Sequence, residues 1–83
     1  MPDPEILATV RKRLAGCFQA VFPTLSEAQI HNAKQSEISD WDSLAALKLA
    51  TLIEEEFGIE LDFEQAAELE TFQALADYLS GLE

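Results

Sequence analysis

Cysteine, histidine, glycine, proline and basic side chains are all scarce in this 83-residue chain. Cys17 is the sole cysteine and His31 the sole histidine, so no internal disulfide can form. A Cys/His zinc site needs three or four ligands and cannot be built from these two, so no metal site is expected. The three glycines, Gly16, Gly58 and Gly81, are isolated, which excludes a glycine-rich phosphate loop. No apolar run approaches membrane-spanning length, and the start of the chain lacks the basic-then-apolar pattern of a secretory signal. The expectation is a soluble cytoplasmic monomer without membrane insertion.

Basic residues number five against sixteen acidic ones, and the imbalance is local. Residues 1–36 hold four basic and three acidic residues; residues 37–83 hold thirteen acidic residues and one base, Lys48. Such a field repels nucleic acid and attracts basic protein surfaces. A well-solvated surface is the commoner meaning of a charge run, but its concentration in one half favours a partner-facing role.

What is abundant is alanine, leucine and glutamate, with a hydrophobic fraction of 48%. That composition favours helices, and the length permits one small domain over 1–83. Asp3 before Pro4 reads as an N-cap with proline at the first helical position. Leu7, Val10, Leu14, Cys17, Phe18 and Val21 then mark one helical face ending near Phe22-Pro23. Cys17 on that stripe reads as a small buried hydrophobe.

A long connection follows, with a capping box at Ser26-Glu27-Ala28-Gln29 and anchors at Leu25, Ile30, Ile38 and Trp41. A second main helix is predicted from Ser43 to Phe57, stopped by Gly58, with Ala46, Leu49, Ala50, Ile53 and Phe57 inward. Leu44, Lys48, Thr51 and Glu55 project from the opposite side, with Leu47 on the shoulder. Glu64 to Leu69 reads as a short helix. Thr71 caps a last helix with Phe72, Leu75, Ala76 and Leu79 inward, ending at Gly81.

Asp42-Ser43-Leu44 stands where the long connection becomes a helix. Asp and Ser are ordinary helix-start residues, and on local sequence alone that reading comes first. Yet a helix N-terminus offers unpaired N–H groups and a positive dipole end to a phosphate, so Ser43 is also a good place for a phosphodiester. Catalysis by Ser43 lacks a base and an orienting group. A calcium loop from Asp40 fails because its sixth position is Ala45 and its twelfth Thr51. No enzyme is expected.

The pattern Asp42-Ser43-Leu44, Leu47, Leu49, the run Ile53 to Ile59, then Leu61, Leu69, Phe72, Ala76, Asp77, Tyr78, Leu79 and Gly81 resembles the acyl carrier protein family. The resemblance is gap-free from Asp42 onward. It implies an all-α bundle of three main helices plus one short helix, with a long ordered loop between the first and second. It also implies 4′-phosphopantetheine on Ser43, delivered from coenzyme A by a magnesium-dependent phosphopantetheinyl transferase, with Asp42 as a recognition element or helix cap. Acyl groups would ride as thioesters and shelter partly beside the second helix. Acyl-loading and acyl-processing enzymes with basic surfaces would dock through Leu44, Leu47, Lys48, Thr51, Glu54 and Glu55, serving fatty acid, polyketide or specialised lipid synthesis.

Trp41 and Lys48 depart from the fatty-acid-synthesis members, which usually carry a small residue and an acid at those places. Trp-Asp-Ser-Leu is closer to discrete carriers of specialised pathways. An aminoacyl or peptidyl carrier of a nonribosomal peptide-type pathway shares the same arm and fold. An unmodified acidic adaptor is the reading from another class.

Overall fold

The computed structural model describes residues 3–82, and these form five α-helices around one core. Helix α1 spans Pro4–Val21, α2 Glu27–His31, α3 Ser43–Phe57, α4 Phe63–Glu68 and α5 Phe72–Leu82. A 3-10 turn occupies Gln35–Glu37 between α2 and α3. No strand occurs among the described residues, and no helix is long and apolar enough to cross a membrane. The three long helices α1, α3 and α5 are those the periodicity predicts.

Local chemistry sets most of the helix ends. Asp3 accepts a hydrogen bond from the Glu5 N–H, and Pro4 follows it at the first helical position. Ser26 and Gln29 make the reciprocal capping box, so the long connection contains a complete short helix. Gly58 ends α3 at φ 64°, the left-handed conformation that only glycine adopts without penalty. The Thr71 hydroxyl accepts from the Ala74 N–H at the head of α5.

Helix α1 is the central strut, packed on both α3 and α5. Its Val10, Leu14, Cys17 and Phe18 meet Leu49 and Ile53 of α3 and Phe72, Leu75 and Leu79 of α5 in one hydrophobic cluster. Burial on this scale supplies about 1.5–3 kcal/mol for each fully enclosed large apolar side chain. The connection from α1 to α3 is pinned by Ile30 and Trp41, both buried, with Leu25 and Ile38 half-buried against the cluster. Main-chain bonds fasten it as well: Gln35 N–H donates to Glu70 C=O (2.8 Å) and Phe72 N–H to Ala33 C=O (3.0 Å), around an isolated bridge between Lys34 and Thr71.

Several positions differ from the sequence expectation. Leu7, Val21, Ala46 and Phe57 are half-buried, because they lie on the edges of their stripes, and Phe22 enters the core in place of Val21. Helix α4 begins at Phe63 and ends at Glu68, one residue earlier than read at each end, since Asp62 accepts from the Glu64 N–H and caps it. Helix α5 runs through Gly81 to Leu82. Glycine permits a left-handed stop without compelling one, and Gly58 alone among the described glycines has positive φ.

Candidate functional site

Ser43 is the first residue of α3 and its side chain is exposed. The turn is set by Asp42, whose Oδ1 accepts from the Ala45 N–H at 2.8 Å while its carbonyl accepts from Ala46 N–H. The N–H groups of Ser43 and Leu44 donate to no acceptor among the described residues. They sit at the positive end of a fifteen-residue helix. Ser43 therefore presents a hydroxyl beside two free donors, an arrangement that suits a phosphodiester.

Ser43 also stands at the edge of an apolar cavity of about 120 Å³. Its walls are Trp41, the inward residues Ala46, Leu49, Ala50 and Ile53 of α3, Leu61 before α4, Ala66 and Ala67 of α4, Leu69, and Leu75 of α5. Besides Ser43 the polar side chains are Gln35 and the indole of Trp41, and no charged group lines it among the described residues. The α3 periodicity identifies four of these walls. Those from α4 and its flanks carry no local signal of the role, since they reach the cavity only once α4 folds back on α3.

On the outer face of α3, Leu44 is 60% exposed and Leu47 46%. Lys48, Thr51 and Glu55 continue the same exposed stripe, and Lys48 makes no ion pair among the described residues. The Thr51 hydroxyl donates back to Leu47 C=O. Glu54 is turned inward: it is half-buried, and its Oε2 accepts from the Leu61 N–H at 3.0 Å. This ties the segment after α3 to the helix and positions a wall of the cavity.

His31 packs against Phe72, ring centroids 4.8 Å apart, and lines a groove between α1 and α2 that Ser43 does not reach. Cys17 is buried at 6% exposure, and burial, aided by the carboxylate of Glu56 and opposed by Arg13, pushes its thiol pKa up. Among the described residues no three His, Cys, Asp or Glu side chains gather as a metal site.

A small helical bundle that exposes a serine at a helix start, over an apolar cavity and beside an exposed apolar-acidic stripe, has the layout of a carrier. Residues 39–79 match the family model described as phosphopantetheine attachment site. The matched segment is that of a carrier domain, and such domains bear a covalently attached 4′-phosphopantetheine and work with a phosphopantetheinyl transferase and partner enzymes. No solved structure matches the chain.

Proposed function

We propose that this chain, one domain over 1–83, is a discrete acyl carrier whose 4′-phosphopantetheine is attached at Ser43. The observation that carries the reading is the place of Ser43: exposed at the first position of α3, beside two unpaired N–H groups, inside the matched segment. When bound, the group supplies a thiol that holds cargo as a thioester. The protein's residues supply the rest. The α3 N-terminus favours the phosphate, and Asp42 holds the turn in shape.

Leu44 and Leu47 give docking enzymes an apolar foothold, with Thr51 and Glu55 as the polar rim, while Glu54 is turned away to Leu61. Lys48 in the middle of that stripe reduces its attraction for a basic partner. Together with Trp41 it favours a specialised pathway over general fatty acid synthesis. Cytoplasmic location and the absence of catalysis by the chain itself belong to the same reading. The buried Cys17 cannot replace the arm, and His31 stands apart as a base.

Incubation with coenzyme A, magnesium and a broad-specificity phosphopantetheinyl transferase is expected to add one phosphopantetheine mass to the wild type and none to Ser43→Ala. Equal gain by the variant, or no gain by either, defeats the assignment. Loading the holo-protein with acyl against aminoacyl donors decides between an acyl carrier and the aminoacyl alternative.

A further inference from the structure

Trp41 faces two ways. Its ring stands edge-on to Phe18 with centroids 5.3 Å apart and leans on Phe22 at 5.9 Å, so the core fixes it from behind. Only 4% of its surface is exposed, and its N–H donates to Ile38 C=O, so the backbone is fixed too. The same residue forms a wall of the cavity beside Ser43. Phe18 is wholly enclosed, which leaves Trp41 nowhere to retreat when the cavity fills.

We propose that Trp41 is a specificity-determining residue that holds the cavity to one compact, uncharged apolar acyl unit of roughly six heavy atoms. This rests on the assignment of Ser43 as the attachment point. The size follows from volume: an apolar protein cavity of roughly 150 Å³ takes one benzene, and this one measures about 120 Å³. The polarity follows from the lining, which among the described residues offers Gln35, Ser43 and the indole of Trp41 as polar side chains and no counter-charge. An aminoacyl ammonium or a second carboxylate would lose its water there with nothing to replace it, so such cargo stays outside. Longer linear chains bury about six carbons in the cavity and leave the remainder in solvent.

The test is a series of holo-proteins loaded with linear acyl groups of two to twelve carbons, each checked by intact mass and then melted. The Tm is expected to climb by about 3 °C per buried carbon and to level off near six carbons. The emission of Trp41, the sole tryptophan, is expected to stop changing at the same length. Malonyl and aminoacyl forms are expected to melt with the unloaded protein.

Trp41→Phe keeps an aromatic ring on Phe18 and is expected to move the break to longer chains. Ala67→Leu, at an exposed α4 position on the cavity edge, is expected to move it to shorter ones without disturbing the core. A Tm that rises steadily to twelve carbons, a flat series, or one break point shared by all three proteins overturns the inference. Failure to install the arm is read from the mass before any melt, and overturns the Ser43 assignment instead.

Discussion

Arg13 and Glu56 join the middle of α1 to the last turn of α3. Arg13 Nε lies 3.1 Å from Glu56 Oε1, and the same guanidinium donates to the Glu56 main-chain carbonyl. Its Cζ sits 4.5 Å from the centroid of the Phe57 ring. Helix α3 ends on Glu54-Glu55-Glu56 with no base in its last turn, the wrong charge for the negative end of a helix dipole. The compensating cation comes from another helix.

Removing that cation has a measurable effect. The ion pair is solvent-exposed on both sides and contributes little alone, but the carbonyl and the Phe57 ring lose their partner too. Arg13→Ala is expected to lower stability by about 1–2 kcal/mol in urea denaturation, with m unchanged. A loss inside the error of the fit would show that the bridge does not tie the helices.

The cap that Asp42 supplies to α3 is separable from the transferase recognition that the resemblance implies for it. Asp42→Ala removes the acceptor for Ala45 N–H and is expected to cost about 1 kcal/mol, whereas Asp42→Asn keeps the cap within a few tenths. If the transferase reads the charge, Asp42→Asn will melt like wild type yet accept the arm roughly tenfold more slowly. Time courses by mass spectrometry, set beside melts, distinguish the tasks; equal rates would leave Asp42 as a cap alone.

Cys17 makes stability depend on alkaline pH. Burial raises its thiol pKa in the folded state, so the unfolded chain ionises first. Above about pH 9, near the thiol's ordinary value, the unfolded state binds fewer protons and stability falls as pH rises towards the folded value. Cys17→Ala is expected to flatten that part of the Tm profile, and wild-type Cys17 to resist alkylation until the protein unfolds. Rapid alkylation of the native protein would contradict the enclosed position.

Thirteen acids against one base after residue 36 leave the C-terminal half self-repelling. Raising sodium chloride from low to physiological ionic strength screens that repulsion and is expected to raise the Tm. A melt indifferent to salt would mean that the acids are too far apart, or too well paired, to matter.

The residues legible in the sequence were those whose partners lie within a few positions. Asp3-Pro4, the Ser26–Gln29 box, Asp42 before Ser43, Gly58 and Thr71 each act on the adjacent turn, so their spacing reveals them. The outward place of Leu44 followed from phase alone. Trp41 could be named as an anchor, but its rings of contact, Phe18 and Phe22, lie about twenty residues away and no spacing rule links them. The inward turn of Glu54 was hidden for a related reason. Along the chain it sits beside the exposed acids Glu55 and Glu56, and only the return of Leu61 gives its carboxylate a donor. Gly81 suggests a stop because glycine permits one, while the helix there simply continues.

The Ala33–Gln35 segment and the Glu70–Phe72 segment are stitched together on either side of the Lys34–Thr71 bridge. That clasp braces the approach to Ser43 against α5 while α4, packed chiefly on α3, lies outside it. The division resembles a crane with a bolted base. With the arm on Ser43 as proposed, its mounting point holds its place as successive enzymes are visited, so the sweep of a delivered group is set by the length of the jib alone.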